Sequence, residues 1–146
     1  MNQPQESAIV ISALRILAHA DNTIAMIKKK LAARGFSKEA IEQTVDLLVA
    51  KGYLNDEKYA EQYIYRCLRN TKKGPKLIFN ELHKKGIPGN ICNRLIKEFY
   101  PPEQEKTVMN RLIAVMKNKE KKHYIFITLM RRGFRTSTIK EFINQL

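Results

Sequence analysis

Among the side chains able to do chemistry, histidine and cysteine are scarce while lysine and arginine are abundant. The histidines His19, His83 and His123 have no acidic or cysteine partner at metal-ligand spacing, so none reads as a metal ligand or as part of a proton relay. Cys67 and Cys92 stand far apart and outside any C-x-x-C pair, and read as two buried, reduced thiols rather than as a disulfide or a metal site. No G-x-x-x-x-G-K-[ST] phosphate loop occurs, and Gly74-Pro75-Lys76 reads as a turn. Gly86-Ile87-Pro88-Gly89 has the G-x-x-G form of a KH-type nucleic-acid loop, but that fold also needs strands. Acids such as Glu39, Glu42 and Asp46 recur at helical spacing, as on a solvated face. These readings point away from an enzyme, a cofactor or a small-molecule substrate.

The cations are the informative groups. Lysine and arginine number 27 against 14 acids, a net charge of +13, which predicts a polyanionic partner and association that weakens as salt rises. They cluster as Lys28, Lys29 and Lys30 with Arg34; Arg66, Arg69, Lys72, Lys73 and Lys76; Lys84 and Lys85; and Arg131 and Arg132 with Arg135. The run Lys117, Lys119, Lys121 and Lys122 adds its last two members to the candidate partner-binding set. A plainer role competes at Arg34, Lys85 and Arg132, which fall where a helix should end and there complement its dipole. The group Lys72, Lys73 and Lys76 reads as an exposed loop suited to a phosphate or a carboxylate. Stacking platforms are few: Phe36, Phe99, Phe134 and Phe142 occupy core positions, leaving Tyr63 or Tyr65 beside Arg66. Contact with naked DNA should therefore be weak, electrostatic and salt-dependent.

The elements that must carry these cations repeat three times. Segments 24–48, 74–99 and 121–146 align on Gly35, Gly86 and Gly133, roughly 50 residues apart, within the span of helical repeat units. Ile27, Ile78 and Ile125, then Leu31, Leu82 and Leu129, precede the glycines at matching offsets. Phe36, Ile87 and Phe134 follow directly, then Val45, Ile96 and Ile143, and Leu48, Phe99 and Leu146. Ile and Leu four apart share a helix face. The glycine accepts the left-handed conformation that ends a helix, and Ser37, Asn90 and Thr136 or Ser137 offer caps for the next. A further helix precedes each pair. The first is expected over 8–19 with Ile11, Leu14, Leu17 and Ala18 as its stripe. The next is expected over 57–70, capped by Asp56, with Ala60, Ile64 and Leu68. The last is expected over 103–119 after Pro101-Pro102, with Val108, Leu112, Val115 and Met116.

The expected fold is therefore all-α: three tandem three-helix, helix-turn-helix-like repeats over 1–54, 55–100 and 101–146, forming an elongated, curved rod. Nothing alternates as a strand should. The start, Met1-Asn2-Gln3-Pro4-Gln5-Glu6, lacks the pattern of a leader, and no apolar run is long enough to span a bilayer. The expected location is cytoplasmic, without membrane contact.

Four motifs carry a resemblance. Gly52-Tyr53-Leu54-Asn55-Asp56 with Tyr59-Ala60, and Gly74-Pro75-Lys76 with Ile78, Glu81-Leu82 and Lys84-Lys85-Gly86-Ile87, resemble the signatures of the RecX family. So do Leu31-x-x-Arg34-Gly35-Phe36 and Arg131-Arg132-Gly133-Phe134 with Ile139. Asn55 stands where the family usually has a second acid, and His19-Ala20-Asp21 replaces an arginine-and-serine pattern. The resemblance implies three tandem three-helix repeats and a regulator of homologous recombination and DNA repair. Such a protein binds RecA on single-stranded DNA, lies in the filament groove, and suppresses ATPase and strand exchange. A rod that lies in a groove needs no second copy, so a monomer is expected. Two other readings fit a basic helix–turn–helix chain. One is a DNA-binding transcription factor, although Asn93, Arg94, Lys140 and Asn144 are a meagre set of base readers. The other is a bare helical scaffold for an acidic protein.

Overall fold

The structure, a computed structural model, describes residues 3–146, with side-chain surroundings from Ser7 onward; Met1 and Asn2, within the segment read for a leader, lie outside the described residues. The described residues form nine helices and no strand. They are α1 (Gln3–His19), α2 (Ile24–Ala33), α3 (Lys38–Ala50), α4 (Asp56–Asn70), α5 (Pro75–Lys84), α6 (Gly89–Phe99), α7 (Pro102–Ala114), α8 (Lys122–Arg131) and α9 (Thr136–Asn144). They come in threes, as the repeat predicts. Two compact units result. One holds the chain through Tyr59 together with Lys85–Ile87, and the other holds Ala60–Lys84 and Pro88–Leu146.

The repeat positions earn their sequence matches by burial. Ile27, Ile78, Ile125, Leu31, Leu82 and Leu129 are each at most 1% exposed. The matching residue after the glycine closes the helix end. The Phe134 N–H donates to the Leu129 carbonyl at 3.2 Å, and the Phe36 N–H to the Leu31 carbonyl at 3.4 Å. This is the hydrogen-bond pattern of a left-handed helix stop, with an apolar contact alongside.

Local caps account for two helix starts. Thr23 Oγ1 accepts from the Met26 N–H at 3.1 Å, and Ser37 Oγ from the Ala40 N–H at 3.2 Å. Elsewhere the expected caps are absent or give way to other partners. Asn90 lies inside α6, which starts after Pro88 without a side-chain cap. Thr136 and Ser137 lie inside α9, where the Glu105 carboxylate of α7 accepts from the Arg135 N–H at 2.9 Å and from Thr138 Oγ1 at 3.1 Å. Asn55, not Asp56, caps α4 through the Lys58 N–H at 3.1 Å, while Asp56 accepts from the first N–H of α2, on Ile24, at 2.9 Å. An acid held beside a helix start by the fold also complements its dipole.

Other expectations need correction. In α1 the buried stripe is Ile9, Ala13 and Ile16, leaving Ile11 49% and Leu14 40% exposed. That helix is apolar on most sides, so its period admits two stripes and only contact with α2 and α3 selects one. In α4, Cys67 is buried and Leu68 only half-buried. α7 stops at Ala114 and leaves Val115 67% exposed. The Val115 N–H reaches back to Leu112 at 3.1 Å, tightening the last turn. The lysine run beyond it would set like charges at helical neighbours. Phe99 and Leu146 are exposed where their counterpart Leu48 is buried. They sit at or beyond the ends of α6 and α9, past the packed faces.

Helix ends also satisfy one another. In the second unit, the Gly74 N–H donates to the Arg132 carbonyl at 2.8 Å, and the Lys76 N–H to the Gly133 carbonyl at 2.9 Å. These donors open α5 and these acceptors close α8, groups that neither helix can pair internally. A Cβ on Gly74 would fall 2.4 Å from Gly133 backbone, and one on Gly133 2.6 Å from the Leu77 nitrogen. In the first unit, Thr23 Oγ1 at the start of α2 donates to the Lys85 carbonyl at 2.5 Å. Nearby, Arg111 of α7 donates to carbonyls at and just past the end of α4, to Arg69 at 2.7 Å, to Thr71 at 3.1 Å and to Leu68. Tyr100 is fully buried, and its hydroxyl donates to the Lys73 carbonyl at 2.7 Å. Burial, with the Glu105 carboxylate adding to it, pushes that hydroxyl far above the ordinary tyrosine range.

Two outcomes follow. Gly35 and Gly133 share the left-handed conformation, at φ +91° and +88°, but nothing lies within 4 Å of a Cβ on Gly35. Gly35→Ala should thus cost about 1–2 kcal/mol of conformational strain. Gly133→Ala should add a further 1–3 kcal/mol or so of overpacking; equal losses in denaturant titrations would show that the turn is not held against α5. For Tyr100, the folded state keeps the proton that the unfolded chain releases near pH 10. Stability should hold below that pH and fall above it. Tyr100→Phe should lower neutral-pH stability by about 1 kcal/mol and flatten the alkaline loss, both readable in melts across pH.

Candidate partner-binding surface

The candidate cations divide by what the fold does with them. In the first unit Lys28, Lys29 and Lys30 lie exposed along α2. Ile27 and Leu31 of the same helix take the core positions, so the intervening lysines must face outward. Lys30 Nζ donates to Asn22 Oδ1 at 2.5 Å, and exposed Arg34 donates to Ser12 Oγ at 2.7 Å. Lys85 is half-buried in this unit, its carbonyl taken by Thr23. Lys28 and Lys29 have no internal ion pair among the described residues.

In the second unit the exposed cations of the candidate set sit on α4, α5 and α8. Arg66 lies 5.9 Å from the centroid of Tyr63, and Arg69 lies 5.4 Å from that of Tyr65. Tyr65 is 59% exposed, so the Tyr65–Arg69 pair forms a surface patch with a flat ring and a guanidinium, able to take a phosphate or a base. Lys76 and Lys84 are exposed on α5, as are Lys121, Lys122, Arg131 and Arg132 around α8.

Two candidates are bound up in the fold. The loop containing Lys72 and Lys73 is not freely exposed: both residues are half-buried. Lys73 pairs with Glu81 at 2.9 Å, and the Tyr63 hydroxyl donates to the same carboxylate. That loop carries the carbonyl received by buried Tyr100, which explains why it is drawn inward. Arg135 is ion-paired to Glu105, which is fully buried, and donates to the Tyr100 carbonyl at 3.1 Å. A lone buried carboxylate is costly, so Arg135 is committed to compensating it.

The sequence reading did not single out one feature. A cleft of about 650 Å³ opens along α5 and α6, with Pro75, Phe79 and Ile96 beside Lys76 and Lys97. Asn80, Asn93 and Arg135 complete the lining. The spacing of Lys76 and Asn80, and of Asn93 and Lys97, was the available signal, since residues four apart share a helix face. Which faces oppose each other is visible only in the folded chain.

For catalysis or metal binding the surface offers little. Cys67 and Cys92 are free and buried. Burial chiefly, with Glu81 adding and nearby Lys73 opposing, pushes the Cys67 thiol upward and keeps it protonated. His83 stacks on Phe79 at 5.7 Å. Among the described residues, no group of three or more His, Cys, Asp or Glu side chains could hold a metal ion, and no helix is long and apolar enough to cross a membrane.

Comparison with known proteins agrees with the three-helix architecture. A family model described as the first three-helix domain of RecX matches residues 12–48, and one described as the second three-helix domain matches residues 55–94. The regulatory protein RecX of Chlorobium limicola is 31% identical over 137 residues, spanning 92% of this chain and 86% of that protein. That of Trichlorobacter lovleyi is 31% identical over 97 residues, spanning 66% of this chain and 62% of that one. A Listeria monocytogenes relative is 27% identical over 134 residues, which amount to half of its length. The crystal structure of RecX from Lactobacillus salivarius superposes with a TM-score of 0.90 at 24% identity, covering 99% of this chain and 98% of that one. With the three-helix domain models matching in order and the Chlorobium relative matching along most of both chains, this chain belongs to the RecX family.

Proposed function

We propose that this protein is a regulator of homologous recombination that binds the RecA filament on single-stranded DNA and lowers its ATPase and strand-exchange activity. The observation that carries the reading is family membership along most of the chain, with relatives named regulatory proteins. The cations add to it. Of the 27 basic residues, those on α2, α4, α5 and α8 described above point outward, as a partner rich in phosphate and carboxylate requires. The protein acts by binding rather than by catalysis, as a monomer in the cytoplasm, with no cofactor and with weak, salt-dependent contact to naked DNA.

The three repeats, 1–54, 55–100 and 101–146, would each present one cationic face. A ligand that touches neighbouring subunits of a polymer biases their relative orientation, and so favours one state of a cycle that requires them to move. Lys28, Lys29, Arg66, Lys76, Lys84, Lys121, Lys122, Arg131 and Arg132 are the contacts of this proposal. Lys73 and Arg135 support them from within the fold.

The test is ATP hydrolysis by RecA on single-stranded DNA as this protein is added. Inhibition is expected, weakening as salt rises. Reversing two exposed charges at the start of α8, Lys121→Glu with Lys122→Glu, should raise the half-inhibitory concentration about tenfold without lowering the thermal melt, since acids suit a helix N-terminus. No inhibition at excess protein would overturn the reading. A strong preference for one duplex sequence over RecA-coated single strands would replace it with a transcription factor.

A further inference from the structure

The cleft along α5 and α6 is not required by the repeat. At the places equivalent to Lys76, Asn80, Asn93 and Lys97, the first repeat has Ala25, Lys29, Glu42 and Asp46, and the third has His123, Ile127, Lys140 and Asn144. Only the second repeat combines two ammonium groups with two amides. Lys76 and Asn80 lie four apart on α5, and Asn93 and Lys97 four apart on α6. Because the chain turns back between these helices, the amides lie nearer the turn and the lysines nearer the open ends. All four are exposed, over an apolar floor of buried Pro75 and Ile96 and half-buried Phe79. Among the described residues, no acidic one lines the cleft. The positive charge of Arg135 is already compensated by Glu105, which leaves Lys76 and Lys97 as its uncompensated charge.

We propose that this cleft binds an extended acidic peptide segment of a partner protein, one apolar side chain seated on the floor and carboxylates on either side. Each part has matching chemistry. An asparagine amide both donates and accepts, the pair of bonds that one residue of extended backbone offers. Two separate ammonium groups suit carboxylates on either side of a buried apolar side chain, and an apolar floor with a few polar groups is how such sites are built. Single-stranded nucleic acid fits less well, because it asks for open aromatic faces. One face of Phe79 is covered by His83, stacked at 5.7 Å and 11°, and its rim lies beside Gly89, where a Cβ would come within 3.7 Å.

The experiment uses the full chain and a fluorescent synthetic peptide of glutamates flanking one leucine, read by anisotropy. Saturable binding is expected, and the same peptide with glutamine for glutamate should bind at least about tenfold more weakly. Lys76→Glu with Lys97→Glu should weaken binding by about tenfold or more, and Asn93→Ala by a smaller factor. Lys38→Glu with Lys51→Glu, exposed on the other unit, should leave it unchanged. Circular dichroism confirms that these exposed substitutions keep the fold. The proposal is overturned if the glutamate peptide does not bind, if both double variants weaken it equally, or if oligothymidylate occupies the cleft with the same dependence on Lys76 and Lys97. Neither recombinase nor filament is present, so failure here leaves the filament reading standing.

Discussion

The structure turns on a mutual satisfaction of helix ends. A helix leaves its first N–H groups and its last carbonyls without internal partners, and short helices have proportionally more such groups. In the second unit the opening N–H groups of α5, at Gly74 and Lys76, pair with the closing carbonyls of α8, at Arg132 and Gly133. Backbone meets backbone, so no side chain can stand between them; this is why glycine occupies both sides. The helix dipoles meet positive end to negative end, which adds to the attraction. Three-helix units of this size bury too little surface to be robust alone, and these junctions couple the second and third repeats into one unit.

The junction also dictates where charge can go. Glu105 is buried because it caps α9, and Arg135 follows it inward to balance the charge. Tyr100 and Arg111 secure the loop and the helix end beside them. Lys73 is held by Glu81 as part of the same inward pull on that loop. A cation in this neighbourhood therefore has a structural duty before it has a binding one. Lys28, Lys29, Arg66 and Lys84 lie outside this neighbourhood and are exposed.

Repetition fixes the interior and leaves the exterior free. The buried isoleucine and leucine before each glycine match across the three repeats because each must fill the same space at the same helix crossing. Exposed positions are released from that constraint and have diverged. The second repeat has lysines and asparagines around its cleft where the first has acids on α3, and the terminal repeat carries a lysine run beyond α7. Such differences give each repeat its own surface chemistry on one shared scaffold.

Helix number, helix order and the glycine stops were legible in the sequence, because they follow from short-range rules: apolar residues at helical spacing, a left-handed glycine, an apolar residue to close the turn. The excess of positive charge, and its clustering, was equally plain. What the sequence left undecided were choices between local partners and distant ones. Asn90 looked like a cap, yet α6 starts after Pro88 without one, and Thr136 gave way to Glu105 from α7. Ile11 and Leu14 fitted a stripe as well as Ile9, Ala13 and Ile16 did. Arg135 read as a binding group until a buried carboxylate claimed it. The α5–α6 cleft combines residues from two helices whose facing sides no local pattern specifies. Each was settled by tertiary packing, since the energy of a buried contact exceeds the small local preferences that compete with it.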